Sequence, residues 1–403
     1  MNKFIATILI TFAGTLCATY PYTVPYYDEE FFIYPFYNYA QRPAWERARE
    51  GRLYNGSFVQ TSHGSQTTWL LMHSEEVVVN QNLGSDFAFR LRYRDLRSRH
   101  ISYSVSDFSL GLGYRIGDYF TLYAETDLSD LKQDADVKPG ILFSFQTVYA
   151  YFGIVFEDFL FDMKNKGDGQ NKKLPITLAT DCRFYFGRLY LFFSGNYGTG
   201  IEREWNEGPY TDILRHTKKI SNAYGRAEYD LTDRLKIYSK LFYDSFSESK
   251  QFKDSTLRIS SYSFKARLLN TKAGAIFAAG ENHRTDAGIS YSLTLHEMNV
   301  IEGVRKSYTI EYPALLPYII YYYDINRQFT AEIGYAASLT LKDYDSNFYS
   351  SREKDPQPYW DKHLVKLGFE YSFAPNASIY ISAGHLVNTN VFGGGNVRLN
   401  VLF

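Results

Sequence analysis

The sequence has few cysteines, few methionines and no long apolar run after its first residues. Its 403 residues include 2 Cys and 4 Met. Once residues 1–18 are removed as a leader, only Cys182 remains, which excludes an intrachain disulfide. Acidic and basic residues nearly cancel, with a formal net charge of −1, which argues against a nucleic-acid-binding protein. No segment after the leader is apolar over the length of a transmembrane helix, which argues against a helical membrane protein.

Aromatic side chains, by contrast, are abundant. The chain has 37 Tyr and 31 Phe, and aromatic residues make up 18% of it. Residues 1–18 contain a basic residue followed by an apolar run from Ile5 to Leu16, the pattern of a secretory signal peptide cleaved after Ala18. The alternative of a lipidated Cys17 is disfavoured, because a leucine precedes it where lipobox-type signals have a small residue. An exported, aromatic-rich chain of this kind is either an outer-membrane β-barrel or a secreted β-sandwich or β-solenoid.

Residues 19–52 are rich in tyrosine and proline, as in Tyr20-Pro21-Tyr22 and Tyr34-Pro35-Phe36. Proline at this density prevents a central strand or a helix. We therefore predict a periplasmic extension or a plug here, with a poorly ordered terminus as the alternative. The remaining residues, 53–403, are predicted to form a single β-barrel.

From Leu53 the sequence alternates between apolar and polar residues, in runs separated by turn sequences. In one run Phe87, Phe89, Leu91 and Tyr93 alternate with Ala88, Arg90, Arg92 and Arg94. A period of two is that of a β-strand, and runs of about 9–11 residues match the length that a tilted strand needs to cross a membrane. Similar runs along the chain predict an all-β fold, a transmembrane antiparallel barrel of about 18 strands, with about 16–20 compatible.

The connections between these runs alternate between short and long. Short turns are expected at residues 116–118, 186–188, 231–233, 325–327 and 374–376. Longer polar segments are expected at residues 129–138, 163–173, 199–219, 245–254 and 342–361. Outer-membrane barrels combine short periplasmic turns with long extracellular loops, whereas a β-sandwich has no reason for this asymmetry. Pro313 and Pro317 favour a loop between residues 297 and 323.

The last ten residues, Gly394 to Phe403, are predicted to form the final strand. In this segment Val397, Leu399, Val401 and Phe403 alternate with Asn396, Arg398 and Asn400. An apolar strand that ends on Phe resembles the assembly signal of bacterial outer-membrane β-barrels. The resemblance implies a porin-like protein surrounded by outer-membrane lipid in a Gram-negative bacterium. It also implies that the four apolar residues dock on the barrel-assembly machinery, and it points to no specific family.

Charged residues of both signs occupy the polar positions of the predicted strands. Those expected to line the lumen are Arg90, Arg92, Arg94, Arg115, Arg183, Arg226, Lys236, Lys240, Glu332, Lys366, Glu370 and Arg398. Arginines at alternate positions of one strand stand about 6–7 Å apart and repel one another unless anions or carboxylates lie between them. Two interpretations stay open: a basic ladder that guides anionic solutes, or a solvated interior in which acids and bases pair across strands.

Residues that could carry out catalysis or bind a metal are sparse. His63-Gly64-Ser65 places His and Ser on one face of a strand, which loosely resembles the His-x-Ser of outer-membrane phospholipases, and no third partner is identifiable. The eight His show no metal-ligand spacing, so neither a metal nor another cofactor is predicted. Cys182 falls on the apolar face with Phe184 and is expected to touch lipid.

The function predicted from these features is a passive, porin-like channel for small polar or anionic solutes, without enzymatic activity. A second hypothesis is an outer-membrane component of an export or envelope-assembly system, in which residues 19–52 contact a periplasmic partner. A third is a barrel enzyme that uses His63 and Ser65. The sequence is compatible with a homo-oligomer or a monomer.

Overall fold

The computed structural model describes most of the chain after residue 57. The described residues are 58–67, 71–98, 103–127, 136–145, 147–157, 159, 169–172, 175–205, 213–253, 259–302, 304–341, 344–346, 351–353, 358–374 and 377–402. The predicted leader, the predicted extension 19–52 and Phe403 lie outside these ranges. Within them, no helix is long and apolar enough to span a membrane.

The described elements are twenty-two β-strands, numbered here along the chain. They are β1 Phe58–Thr67, β2 Leu71–Leu83, β3 Phe87–Ser98, β4 Tyr103–Ile116, β5 Phe120–Asp127, β6 Val137–Ser144, β7 Val148–Phe156, β8 Gly169–Asn171, β9 Ile176–Phe186, β10 Leu189–Gly198, β11 Ile201–Trp205, β12 Ile213–Thr232, β13 Leu235–Lys253, β14 Ile259–Ala278, β15 His283–Glu302, β16 Val304–Asp324, β17 Phe329–Thr340, β18 Tyr344–Ser346, β19 Ser351–Glu353, β20 Tyr359–Ala374, β21 Ala377–Leu386 and β22 Val391–Leu402.

Eighteen of these strands form one antiparallel series in which each pairs with the next. The other four, β8, β11, β18 and β19, are short strands within the connections. The first strand also pairs with the last, from Phe58 opposite Leu402 to Gln66 opposite Gly394. The pairings therefore return to their starting strand, and the predicted antiparallel barrel of about 18 strands is confirmed.

The tight turns lie at one end of the series, called here the turn end. They connect β2 to β3, β4 to β5, β6 to β7, β9 to β10, and the corresponding later pairs. Gly84, Gly117 and Gly187 sit in three of them with φ of +74°, +64° and +59°, a left-handed conformation that glycine adopts without steric cost. The opposite end, called the loop end, carries the connections that contain β8, β11, β18 and β19.

Some segments predicted as loops are strands instead. The segment 199–219 contains β11 and the start of β12, and most of 245–254 belongs to β13. Strands β12 to β16 have 19 to 21 residues, about twice the 9–11 needed to cross a membrane. Their polar outer parts keep pairing beyond the membrane, so polarity alone did not mark the end of the strand.

The loop predicted around Pro313 and Pro317 was also wrong, because both prolines lie inside β16. The pairing of β16 with β15 runs through both positions, with Pro317 opposite Ile289. The pairing with β17 omits Leu316 and Pro317 and resumes at Tyr318. Each residue inside a sheet directs its N–H to only one of the two neighbouring strands, and proline has no N–H. The strand therefore tolerates Pro317 because its pairing with β17 is interrupted at this position.

The distribution of polarity is the reverse of that in a water-soluble protein. On β20, Leu367 and Phe369 are 50% and 47% exposed, whereas Lys366 and Glu370 are 4% and 5% exposed. The same alternation recurs around the ring, and among the described residues the buried polar and charged side chains outnumber the buried hydrophobic ones. An apolar outer wall around a polar interior is stable only in lipid, so the structure confirms the predicted outer-membrane β-barrel.

Inward-facing tyrosines lie flat against glycines of neighbouring strands. Tyr380 packs over Gly368, where a Cβ would stand 2.9 Å from the tyrosine hydroxyl. Gly274 lies under two tyrosines, and a Cβ there would stand 2.7 Å from the hydroxyl of Tyr238 and 2.5 Å from that of Tyr318. These glycines provide the space into which the rings fold against the wall.

Candidate functional site

The inward face of the barrel is the candidate functional site. Among the described residues, eight basic side chains are buried there: Arg90, Arg183, Arg203, Arg226, Lys240, Lys250, Lys272 and Lys366. Five acidic side chains are buried with them: Asp181, Glu248, Asp286, Glu332 and Glu370. Bases therefore exceed acids among the charged groups buried on this face.

The residues predicted to line the lumen differ in burial. Arg90, Arg183, Arg226, Lys240, Glu332, Lys366 and Glu370 are buried. Arg92, Lys236 and Arg398 are half-buried, and Arg115 is exposed beside a tight turn. The side chain of Arg94 is outside the described part of the structure. In the predicted assembly signal Val397 is exposed and Leu399 and Val401 are half-buried, and the role of this signal stays a prediction.

Glu332 is the centre of one cluster on this face. Its carboxylate lies 2.9 Å from the Nζ of Lys366 and accepts a hydrogen bond of 3.1 Å from the hydroxyl of Tyr380. The guanidinium of Arg398 and the ammonium of Lys366 each stand 5.3 Å from the centre of the Tyr380 ring. Two cations therefore lie against one aromatic ring, and one of them, Lys366, also pairs with the carboxylate of Glu332.

A second cluster joins β13, β14, β15 and β16. The hydroxyl of Tyr238 donates a 2.6 Å hydrogen bond to Asp286 and is hydrogen-bonded to the hydroxyl of Tyr318. The Nζ of Lys272 lies 4.1 Å from the centre of the Tyr318 ring. None of these four residues was predicted as a site residue. Asp286 precedes the alternating run that begins at Ala287, and extending that run by one residue would have placed it on the polar face.

Two further arginines are held by aromatic rings. The Nε of Arg226 donates a 2.6 Å hydrogen bond to Glu228, which also contacts Lys236 at 3.1 Å. The guanidinium of Arg226 lies 5.5 Å from the Tyr190 ring, and that of Arg183 lies 4.9 Å from the Tyr149 ring. These contacts fit the interpretation in which inward charges pair along the wall. Such pairs do not change the count given above, in which more basic than acidic side chains are buried on the inward face.

A third cluster lies near the loop end. His216 Nε2 and Lys250 Nζ are 2.8 Å and 2.9 Å from the same Glu248 oxygen. Glu248 follows Leu235 by thirteen residues, which places it about 30 Å from the turn end at about 3.3 Å per residue and a tilt of about 45°. This is beyond an apolar band about 25 Å tall, so the cluster lies outside the hydrocarbon region of the membrane.

We expect this cluster to make the outer part of the β12–β13 hairpin sensitive to acid. Burial raises the pKa of Glu248, but the hydrogen bond from His216 and the charge of Lys250 outweigh it, and the pKa lies below the ordinary 4.5. A lowered carboxyl pKa contributes stability above the ordinary value, and that stability is lost as the pH falls through the lower folded-state value. Amide hydrogen exchange in residues 213–219, corrected for its intrinsic pH dependence, should therefore accelerate below about pH 4.5.

The Glu248→Gln variant should lose this acid-dependent acceleration, because glutamine does not titrate. Glu281→Gln, in an exposed tight turn, serves as the matched control and should behave as the wild type. An unchanged pH profile in Glu248→Gln would contradict the role given to this carboxylate.

The remaining predictions concern a metal site, Cys182, and the pair His63 and Ser65. Among the described residues, no group of three or more His, Cys, Asp or Glu is arranged to hold a metal ion. Cys182 is a free, half-buried thiol opposite Phe193, which is exposed on the outer wall. His63 and Ser65 belong to β1, with His63 opposite Glu75 and Ser65 opposite His73 on β2.

Comparisons with known proteins give only structural likeness. No family model matches the chain, and no curated protein matches it. The chain is similar to the translocator domain of autotransporter NalP from Neisseria meningitidis, with a TM-score of 0.35, 8% identity, and coverage of 89% of this chain and 91% of that one.

Two other solved structures show a likeness of the same degree. One is the outer-membrane-expressed OmpT of Vibrio cholerae, with a TM-score of 0.38, 11% identity and coverage of 86% and 96%. The other is the CymD monoaromatic hydrocarbon channel, with a TM-score of 0.32, 10% identity and coverage of 87% and 88%. Likeness at this level says nothing about activity.

Proposed function

We propose that this protein is a passive, porin-like channel for small polar solutes that prefers anions. The observation that carries the proposal is the surplus of basic side chains on the inward face, eight buried bases against five buried acids among the described residues. Barrels of about 16–18 strands are wide enough to leave an aqueous lumen between their side chains. Fixed positive charge along such a lumen raises the local concentration of anions and lowers that of cations.

The distribution of these charges supports diffusion rather than tight binding. Bases occur on β3, β9, β11, β12, β13, β14 and β20, so positive charge is distributed over several strands instead of converging on one point. Glu248 and Glu332 each contact a cation, and Asp286 accepts a hydrogen bond from the hydroxyl of Tyr238. A permeating anion therefore meets a wall of weak positive potential, which favours entry and still allows release.

Selectivity in planar bilayers tests this proposal. Under a KCl gradient the reversal potential of the wild-type channel should lie toward the equilibrium potential of chloride. Arg92→Glu should shift it toward the equilibrium potential of potassium. Arg92 is half-buried and shares its face with the buried Arg90, so a carboxylate there removes positive charge from the lumen. Arg327→Glu, in an exposed tight turn, makes the same charge change outside the lumen and should leave the potential unchanged. A cation-selective wild type, or no conductance at all, would refute the channel.

A hydrolase is a second candidate, favoured by the pairing of β1 with β2. Cross-strand partners share a face of a sheet, so Ser65, His73, His63 and Glu75 occupy one face. Pairing with β22 places His63 opposite Val397, which is exposed on the outer wall. Serine, histidine and carboxylate in adjacent positions are the components of an activated nucleophile.

Labelling of the purified barrel with a fluorophosphonate tests the hydrolase. If the site is active, the wild type and Ser62→Ala should be labelled and Ser65→Ala should not, because Ser62 is on the other face of the same strand. Absence of labelling in all three, or equal labelling of Ser65→Ala, would remove this candidate and leave the channel proposal unaffected.

A further inference from the structure

The outer wall between β6 and β13 is concave. One row of directly opposed, outward-facing residues crosses these six neighbouring strands: Ile141, Phe152, Thr180, Gly195, Ala223 and Tyr243. Its three central members are small, and the members on either side are large. At about 4.8 Å between strands, the trough is about 19 Å wide from Phe152 to Tyr243.

The trough is a groove of about 920 Å³, which is within the range of sites that hold small ligands. Leu178 and Tyr197 line it toward the loop end, and Tyr197 is 64% exposed. None of the residues that line the groove carries a charge. Its occupant is therefore apolar over most of its length.

The position of the groove relates it to the bilayer. Gly195 follows the first residue of β10 by six residues, which places it about 14 Å from the turn end at about 3.3 Å per residue and a tilt of about 45°. An apolar band about 25 Å tall contains this level, so the groove opens into the hydrocarbon region. A water-soluble ligand does not reach such a surface, whereas acyl chains are in contact with it.

Lys219 stands at the loop end of the groove. It is exposed, lies two residues beyond the groove-lining Ser221 on β12, and its Nζ is 5.1 Å from the centre of the Tyr197 ring. Lys219 precedes the last residue of β12 by thirteen residues, which is a height of about 30 Å and therefore the level of the lipid headgroups. A cation above an apolar groove matches an anionic headgroup above an acyl chain.

We infer that this groove binds an anionic phospholipid, with one acyl chain in the trough and its phosphate at Lys219. A second copy of the protein is the competing occupant. If two copies packed groove against groove, neither would provide a counter-charge for Lys219, because no acidic residue lines the groove. The inference depends on the barrel fold and not on the proposed channel function.

Titration of delipidated barrel in detergent with phosphatidylglycerol, followed by native mass spectrometry, tests the inference. The wild type should retain phosphatidylglycerol in preference to zwitterionic phosphatidylcholine. Lys219→Glu should weaken retention by about fivefold or more, since one lysine near an anionic lipid surface has an effect of that order. Ala223→Leu, which fills the trough, should weaken retention of both lipids.

Matched controls separate these effects from general changes in the barrel. Ala275→Leu makes the same substitution at an outward position of β14 outside the groove, and Arg327→Glu reverses a charge at the turn end. Both should bind as the wild type does. Equal retention in the wild type, Lys219→Glu and Ala223→Leu would overturn the inference. So would dissociation of an oligomer by Ala223→Leu, which would make the groove a contact between copies.

Discussion

Replacing Gly288 with alanine is expected to destabilise the barrel severely. A Cβ at this position would stand 2.5 Å from the Tyr318 hydroxyl and 2.7 Å from the Gly274 Cα, and it would also collide with the backbone carbonyl oxygen of Ala273. A side chain can turn aside, but two of these three atoms belong to the backbone of β14. Overpacking of this kind typically costs about 1–3 kcal/mol and can cost more when backbone must move.

The free energy of unfolding in urea, measured on refolded protein in detergent, gives the size of this effect. Gly280→Ala is the control, because the nearest atom to a Cβ there is a His283 ring carbon at 3.9 Å. It should unfold as the wild type does. Equal stability of the Gly288 and Gly280 variants would mean that β14 and β15 are not packed as closely as described.

Replacing Glu332 with alanine is expected to have the second large effect, about 3–5 kcal/mol in the free energy of unfolding. The change removes the carboxylate 2.9 Å from Lys366, in a pair whose side chains are only 5% and 3% exposed. It also removes the acceptor of the Tyr380 hydroxyl. The cost arises mainly from the cation that is left without this carboxylate in a poorly hydrated place, and not from the net strength of the pair.

A double variant separates this cause from simple loss of packing. Glu332→Ala combined with Lys366→Ala removes both charges and should be less destabilised than the sum of the two single changes. Glu281→Ala, in an exposed turn, should be neutral. Strict additivity of the two single changes would show that Glu332 and Lys366 do not interact energetically, against the described geometry.

The alternation of residue types by itself determined the class of fold and, along the predicted strands, the side of the wall on which each residue lies. Side chains of a strand point to opposite faces with a period of two, so Leu367 and Phe369 had to share one face and Lys366 and Glu370 the other. The reversed polarity and the tight turns then required a barrel in lipid. These conclusions need only neighbouring residues, which is why one sequence was enough for them.

Only the tertiary structure decided where the strands end and which charges meet. Pro317 is tolerated in β16 because one of its two ladders is interrupted there, and sequence does not reveal such an interruption. Lys366 contacts Glu332, and Tyr238 contacts Tyr318 across 80 residues of sequence, because the register of the ring brings these positions together. The register depends on the lengths and pairings of all strands around the barrel, so it cannot be read from a local sequence pattern. The groove beside Lys219 arises for the same reason: Thr180, Gly195 and Ala223 are unremarkable in sequence and form a trough only when three strands align them.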